Sequence, residues 1–315
     1  MALRRIAPAL IAHGGAGPRG PAADRAERRR ALLAAVRRGA YLLREGGSAL
    51  GAVQATVMEL EDNALFNAGT GSVLTTAGTV EMDASIMVMK RGPAGEVRVS
   101  AGAAAAVSRV KNPVTLARAI MEKTPHVMLA ASGAHRFARR AGIALCRSEE
   151  LITAGARQRW RARQLQPGYR NSIPAMHGTV GAVAIDSSGN IAAGTSTGGV
   201  PGKIPGRIGD SAIIGAGTFV SARGGASATG SGEAIILVAL CREAVAALSE
   251  QSPSTAARHT IATLLGPHQA EGGIVIVDHK ARIGFAHNAA AMQVATFDST
   301  DLRHFWVAPL AGTHS

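Results

Sequence analysis

The feature that most constrains this chain is a threonine that directly follows a glycine at the start of an alternating apolar run, HGTVGAVAID at residues 177–186. A threonine hydroxyl does not ionise near neutral pH and needs a base nearby. If the chain is cut between Gly178 and Thr179, the new α-amine of Thr179, with a pKa of about 7.7 to 8.0, supplies that base. Glycine leaves its carbonyl open to attack and tolerates strained backbone. For the decapeptide alone an ordinary buried strand is the favoured interpretation, and the segments that follow Thr179 change that balance.

Five further glycine-rich or hydroxyl-rich segments follow one another in a fixed order. They are IAHGGAG (11–17), NAGTGS (67–72), GTSTGG (194–199), PGRIGDS (205–211) and ATGSGE (228–233). With the Gly178–Thr179 junction, this set resembles the plant-type L-asparaginase and isoaspartyl-peptidase family of N-terminal-nucleophile hydrolases, from about residue 11 to about residue 290. The resemblance implies a four-layer αββα sandwich. It also implies self-cleavage into an α subunit (1–178) and a β subunit (179–315), which form one folded domain and pair into an (αβ)₂ dimer.

The segment PGRIGDS (205–211), called the charged turn below, indicates a substrate by its residues alone, without the resemblance. Arg207 and Asp210 lie three residues apart in a turn stiffened by Pro and Gly, and an α-amino acid carries the opposite pair of charges. Arg207 is therefore expected to bind an α-carboxylate bidentately and Asp210 an α-ammonium. A surface ion pair across the turn is the alternative, and it would contribute little to stability.

Further roles follow from the resemblance. Thr197 matches a threonine that supports the nucleophile or its amine, Asn67 matches a catalytic-site asparagine near the nucleophile, and Gly232 belongs to the substrate site. Thr229 and Gly230 are expected to stabilise an oxyanion through the hydroxyl and the backbone N–H. A glycine-rich turn before a helix also suits phosphate, but no lysine follows as a P-loop requires. Catalysis needs no cofactor in this family. The resemblance implies a structural sodium ion held by backbone carbonyls, which here belong to Leu60, Glu61, Asn63, Phe66, Ala68 and Thr70.

The charge balance raises a different class of function. The chain has 34 basic and 21 acidic residues, a net charge of +13, which is compatible with a nucleic-acid or anionic-surface partner. Aromatic residues are only 3% of the chain, and no nucleic-acid-binding motif accompanies the charge, so solvated faces are favoured. No apolar run approaches a membrane span. Cys146 and Cys241 match no metal or redox spacing, and the start of the chain does not read as a signal peptide. These features predict a cytoplasmic protein.

The periodicity predicts an α+β fold. Helices are expected over 24–45, after an N-cap at Ser48, after Asn112-Pro113 and Thr124-Pro125, and over 232–249 and 254–265. Hairpins are expected over 73–88, 179–195 and 274–286. Residues 154–178 carry arginines without acidic partners and prolines at 167 and 174, and they are interpreted as a flexible, cleavable, basic linker. Two antiparallel sheets enclosed by helices follow from this order.

The sequence therefore predicts a threonine amidohydrolase that activates itself and cleaves L-asparagine and β-aspartyl dipeptides to L-aspartate plus ammonia or an amino acid. Glycosylasparaginase-like and threonine aspartase-like hydrolases remain alternatives. A basic binding protein on an uncut, inactive scaffold is a third. Residues 200–202 (VPG) and 288–292 (NAAAM) depart from the family pattern, which leaves the substrate preference open.

Overall fold

The computed structural model describes residues 6–18, 22–92, 94–165 and 178–310. The strands are β1 (Ala9–Gly17), β2 (Met82–Arg91), β3 (Val97–Val107), β4 (Met128–Ala130), β5 (Val180–Ile185), β6 (Ile191–Thr197), β7 (Thr218–Ser221), β8 (Gly224–Gly230), β9 (Gly272–Asp278), β10 (Ile283–His287), β11 (Ala291–Phe297) and β12 (Leu302–Val307). The α-helices are α1 (Ala22–Arg44), α2 (Ala49–Glu61), α3 (Pro113–Lys123), α4 (Ala131–Arg140), α5 (Ala154–Gln164), α6 (Gly232–Leu237), α7 (Leu240–Ala246) and α8 (Pro253–Thr260). This mixture confirms the predicted α+β class.

The strands form two sheets. The larger has eight strands in the order β12-β11-β1-β5-β6-β2-β3-β4, and the smaller has four in the order β10-β9-β8-β7. Neighbours are antiparallel except β3 and β4. In the larger sheet β5 and β6, which follow Thr179 in the chain, lie between β1 and β2, which precede it.

Strand β5 shows how an alternating sequence divides its side chains between two faces. Ala182 and Ala184 join a buried cluster with residues of α1, α2 and α3, whereas Val183 and Ile185 join one that contains Val275 of β9. A third cluster joins α6, α7 and α8 to the smaller sheet. The two-residue period of the strand therefore places one face of the larger sheet on helices and the other on the smaller sheet.

Most predicted elements are confirmed. Helix α1 covers the predicted 24–45 segment except its last residue, and the Ser48 hydroxyl accepts a hydrogen bond from Gly51 N (3.1 Å), as an N-cap does. The hairpins β5–β6 and β9–β10 form as expected. The predicted 232–249 helix breaks between α6 and α7, where Ala239 has a φ of 49°. Helix α8 continues into a π-helical turn at Ile261–Leu265.

Two local predictions are wrong. The 73–88 hairpin is reduced to an isolated bridge between Leu74 and Val80, because both edges of β2 are occupied by β3 and β6. Thr124-Pro125 begins no helix. The Thr124 hydroxyl donates to Ile120 O (2.9 Å) and so closes α3, and the chain then runs through β4 before α4 begins.

The interpretation of a flexible linker from residue 154 is wrong for its first part, which is helix α5. Thr153 caps it by accepting from Ala156 N (3.1 Å), and Trp160 Nε1 donates to Thr75 O (2.9 Å). Arginine is a good helix former, and the prolines come only after the helix ends. Residues 166–177, which hold both prolines, lie outside the described residues. In the part of the chain that the structure describes, no helix is long and apolar enough to cross a membrane.

Candidate active site

The β5–β6 hairpin brings two predicted site hydroxyls together. Thr179 immediately precedes β5, and its Oγ1 donates a hydrogen bond to Thr197 Oγ1 (3.0 Å) at the end of β6. The Thr197 hydroxyl also accepts from Gly199 N (3.0 Å). Both threonines are buried. Thr197 is therefore held by its own turn so that its oxygen faces the hydroxyl of Thr179.

The Gly178–Thr179 bond lies in a site that excludes side chains. A Cβ on Gly178 would lie 2.7 Å from Asn67 Cβ, and a Cβ on Gly15, whose φ is +98°, would lie 2.7 Å from Gly178 Cα. The carbonyl of Gly178 accepts from Asn67 N (3.2 Å). Gly15, Asn67 and Gly178 also line a pocket of ≈ 420 Å³. The junction is thus held between two loops that only glycine can approach so closely.

Asn67 acts on the turn after β6 and not on the Thr179 hydroxyl. Its side-chain Nδ2 donates to Gly199 O (2.7 Å), and its Oδ1 accepts from Val73 N (2.9 Å). The backbone of Asn67 contributes a second contact, because its carbonyl accepts from Gly198 N (2.8 Å). These bonds fix the segment that follows Thr197.

The structure places Arg207 and Asp210 near each other but gives Arg207 a different ion-pair partner. Arg207 Nε and Nη2 donate to the two carboxylate oxygens of Glu233, both at 2.9 Å. A Cβ on Gly232 would lie 2.7 Å from Arg207 Nη2 and 2.9 Å from Asp210 Oδ1, so the two side chains converge on Gly232. Sequence reasoning missed Glu233, although the acidic residue in the first turn of α6 was its signal.

The carboxyl group of Asp210 is buried, and its hydrogen-bonding capacity is only partly satisfied. Its Oδ2 has no hydrogen-bond partner among the described residues. Burial raises the pKa of Asp210 to about 7, and the nearby Arg207 guanidinium opposes that rise. A buried carboxylate normally has a partner, so an orphaned oxygen beside Arg207 fits a place where a cation belongs.

Two further buried residues, also missed from the sequence, tie the charged turn to the hydroxyl pair. Asp83 of β2 pairs with Thr197 in the sheet, and its Oδ2 accepts from Gly209 N (2.9 Å). Lys203 donates from Nζ to Glu81 O (2.6 Å), and burial lowers its pKa. The sequence signal for Asp83 was a charged residue within an apolar strand. The signal for Lys203 was a lysine in a glycine-rich turn.

The predicted oxyanion residues end β8. Thr229 is fully buried, and its Oγ1 accepts from Ala16 N at a long 3.4 Å. Gly230 has a φ of +144°, and a Cβ there would lie 2.4 Å from both Glu271 O and Gly272 Cα. The glycine at 230 is therefore required by the close approach of the chain that enters β9, a reason that the sequence did not reveal.

The predicted sodium loop winds through successive turns after α2. Three of its carbonyl oxygens accept internal hydrogen bonds: Leu60 from Asn63 N (3.3 Å), Glu61 from Thr70 N (2.8 Å) and Asn63 from Phe66 N (3.1 Å). The Glu61 carboxyl is buried, which raises its pKa to about 8. The described residues contain no cluster of three or more His, Cys, Asp or Glu that could hold a metal.

Comparison with known proteins gives the family. A family model described as asparaginase matches residues 6–307, and the chain belongs to that family. An isoaspartyl peptidase/L-asparaginase from Bos taurus is 42% identical over 86% of this chain and 87% of its own length. One from Homo sapiens is 46% identical over 75% of each chain. A plant-type L-asparaginase from Thermococcus kodakarensis is 41% identical over 91% of this chain and 95% of its own.

Proposed function

We propose that this protein hydrolyses L-asparagine and β-aspartyl dipeptides to L-aspartate plus ammonia or an amino acid, after it has cut itself between Gly178 and Thr179. The hydrogen bond between Thr179 and Thr197, directly beside a Gly–Thr junction that is closely packed between two loops, carries the proposal. The names of the relatives support the substrate class.

Self-cleavage begins when Thr179 Oγ1 attacks the Gly178 carbonyl carbon. The peptide C–N bond breaks, the acyl group passes to the oxygen as an ester, and the nitrogen takes up the hydroxyl proton. Water then hydrolyses the ester, which leaves a carboxylate on Gly178 and a free α-amine on Thr179. Thr197 supports the attacking oxygen, and the hydrogen bond from Asn67 N to Gly178 O polarises the carbonyl.

In the substrate reaction the same hydroxyl attacks the side-chain carbonyl, and the freed amine of Thr179 accepts its proton. Thr229 and the Gly230 N–H stabilise the oxyanion. Ammonia or an amino acid leaves with that proton, and water hydrolyses the aspartyl ester to release L-aspartate. Proton transfer of this kind contributes roughly 10²- to 10⁴-fold to a rate.

The charged turn orients the substrate. A guanidinium has five N–H donors, and Glu233 engages only the Nε and one Nη2 proton, so the Nη1 edge remains for an α-carboxylate. The orphaned Oδ2 of Asp210 receives the α-ammonium. Gly232, which lies between the two side chains, leaves room for the ligand.

The finer features of the family are part of the same proposal. Three buried clusters, one on each side of the smaller sheet and one on the outer face of the larger, support a four-layer αββα sandwich. The remaining lone pairs of the carbonyl oxygens of Leu60, Glu61 and Asn63 fit a sodium ion. The bound ion would rigidify the loop before Asn67. An (αβ)₂ dimer and a cytoplasmic location are also proposed, and nucleic acid is not proposed as a partner.

The test is the intact mass of the purified protein with time, combined with ammonia release from L-asparagine. We expect two fragments, one beginning at Thr179, and activity that rises as they accumulate. Thr179→Ala should remain a single inactive chain, because one hydroxyl serves both reactions. Thr263→Ala, an exposed helical threonine, is the control and should mature normally.

Each other outcome identifies an alternative. Normal processing of Thr179→Ala would refute the nucleophile. A processed chain that is active only on a glycosylated asparagine or on a protein would indicate a glycosylasparaginase-like or threonine aspartase-like hydrolase. A stable uncut chain that binds nucleic acid with strong salt dependence would indicate the binding protein.

A further inference from the structure

A layer of buried polar side chains lies between the two sheets, and the proposed chemistry does not use it. It consists of His13 (β1), Ser85 (β2), Thr195 (β6), Thr218 (β7) and Ser227 (β8), and is called the hydroxyl layer below. All five residues have 0% exposure. Buried hydroxyls are costly unless they are hydrogen-bonded.

The five side chains form a continuous hydrogen-bonded chain. His13 Nε2 lies 2.9 Å from Ser227 Oγ, and Ser227 Oγ lies 2.7 Å from Thr195 Oγ1. Thr218 Oγ1 donates to Thr195 Oγ1 (2.6 Å), and Ser85 Oγ lies 2.9 Å from Thr218 Oγ1. The chain thus crosses from the larger sheet to the smaller and back twice.

Both ends of the chain reach the candidate active site. Ser85 Oγ also lies 2.6 Å from Ser211 O, the carbonyl that follows Asp210, and it shares its single proton between this oxygen and Thr218 Oγ1. At the other end His13 pairs in the sheet with Gly181, two residues after Thr179. Burial lowers the pKa of His13 to about 3, although the backbone of Thr179 opposes that shift. His13 is therefore a neutral hydrogen-bonding group at working pH.

Strand register puts the hydroxyl layer directly beneath the proposed catalytic residues. Thr195 is two residues before Thr197 on β6, and Ser227 is two residues before Thr229 on β8, so each pair shares a face of its strand. In the larger sheet Gly181, two residues after Thr179, pairs with both His13 and Thr195. In the smaller sheet Thr218 pairs with Ser227.

Gly181 allows the two sheets to meet through polar atoms. A Cβ at this position would lie 2.0 Å from Ser227 Oγ and 2.5 Å from His13 Nε2. The missing side chain leaves the space in which those two atoms contact each other. The alternating strand HGTVGAVAID therefore lacks a side chain at Gly181, where the smaller sheet contacts it.

Farther from the site, the contact between the sheets is apolar. Ile11, Val183, Ala193 and Val220 belong to one buried cluster there. Such contacts are non-directional, whereas hydroxyl hydrogen bonds prescribe distance and angle. The polar layer is confined to the level next to the site, where the two sheets must be held in fixed relative positions.

We propose that the hydroxyl layer sets the position of Thr179 and Thr197 on the larger sheet relative to Thr229 on the smaller sheet and Asp210 beside it, with Thr195 and Ser227 as the positioning residues. Neither residue contacts the substrate. The kinetic part of this inference rests on the proposed function.

The principal test is Thr195→Val, which keeps the shape and removes the hydroxyl. We expect kcat for L-asparagine to fall about tenfold or more with KM within about threefold, because a small misplacement of reacting groups costs that much. Maturation at Gly178–Thr179 should slow as well. Thr195→Ser restores the hydroxyl and should return kcat to within about threefold of the wild type.

The matched control is Thr260→Val. Thr260 is equally buried, but its hydroxyl donates only within its own helix, to Ala256 O (2.6 Å). It should lose similar thermal stability and keep kcat. If Thr195→Val behaves as Thr260→Val does, the hydroxyl layer is structural and the proposal is refuted. Should Thr195→Val fail to fold, Ser227→Ala takes its place with the same criteria.

A readout that needs no substrate separates this inference from the proposed function. The ¹⁵N resonances of the His13 ring should report a neutral imidazole from pH 5 to 8, and they should shift in Thr195→Val but not in Thr260→Val. If the wild type lacked activity on asparagine, these resonances and the maturation rate would still decide the role of the layer. Unchanged His13 resonances in Thr195→Val would overturn it.

Discussion

At the scale of single residues, the site is built from polar groups that are incompletely paired inside the protein. Asp210 keeps a buried oxygen without a hydrogen bond, while Glu233 takes one edge of Arg207 and leaves the other open. Each arrangement costs stability, because buried charged groups need partners. An α-amino acid would provide both missing partners at once, which is why these residues fit recognition better than structure.

The raised pKa of Asp210 predicts a pH dependence of substrate binding. A group with a pKa of about 7 is mostly neutral at pH 6 and mostly ionised at pH 8, so its attraction for an α-ammonium grows as the pH rises. Because kcat/KM reports the free enzyme, we expect this carboxyl alone to raise kcat/KM for L-asparagine about tenfold between pH 6 and 8.

The control substrate is succinamate, which has the same amide and carboxylate but lacks the α-amino group. The α-amine that self-cleavage would free on Thr179 has an ordinary pKa of about 7.7 to 8.0 and would affect both substrates, whereas Asp210 would affect only asparagine. The ratio of the two kcat/KM values should therefore rise with pH. A ratio that stays constant from pH 6 to 8 would show that Asp210 does not bind the ammonium.

At the scale of elements, one buried carboxylate joins the turn of the β5–β6 hairpin to a helix. Asp186 Oδ1 accepts from Ser188 N and Asn190 N, and its Oδ2 accepts from Ala49 N at the start of α2, each at 3.0 Å. A carboxylate near a helix N-terminus is stabilising. The hairpin that carries Thr179 and Thr197 is thereby attached to the helical layer at its far end.

Replacing the Asp186 carboxylate should destabilise the folded protein. We expect Asp186→Ala to lower the free energy of unfolding by about 2–3 kcal/mol, because three backbone N–H groups lose a partner and Ala49 N is buried. Urea denaturation is the measurement. Asp298→Ala is the control, since Asp298 accepts similar turn hydrogen bonds at an exposed site and should cost less than about 1 kcal/mol. Equal losses for the two variants would contradict the tertiary role.

Elements were predictable where local chemistry determined them. The alternation of β5 and β6 and the Ser48 cap of α2 need no distant residue, and both predictions are confirmed. The predicted 73–88 hairpin does not form because β2 pairs with β3 on one edge and with β6 on the other, each over a longer stretch. Helix α5 was not predicted because the prolines at 167 and 174 indicated that any helix there is broken. The helix ends at Gln164, before both prolines.

At the scale of the whole molecule, the proposed cut would leave two pieces that share one sheet. Strands β1 and β2 come from before Thr179, and the strands between them, β5 and β6, come from after it. Each piece therefore supplies backbone hydrogen bonds that the other needs, and neither contains the complete eight-stranded sheet.

This interleaving predicts that the matured protein behaves as one particle. On a native sizing column, the 1–178 and 179–315 fragments should elute together at the volume of the uncut chain, and they should separate only in denaturant. The matched comparison is the uncut Thr179→Ala chain. Fragments that separate without denaturant would contradict the observed strand order. A particle of twice the mass would support the proposed (αβ)₂ dimer.

The sequence by itself determined the family motifs, the α+β class and the residues of the candidate nucleophile and charged turn, because glycine spacing, alternation and residue chemistry are local properties. Only the tertiary structure decided what those residues contact. It paired Arg207 with Glu233, left Asp210 Oδ2 without a hydrogen bond and placed the hydroxyl layer beneath Thr179. Those contacts join strands that are far apart in the chain, and no local pattern encodes which strands become neighbours in a sheet.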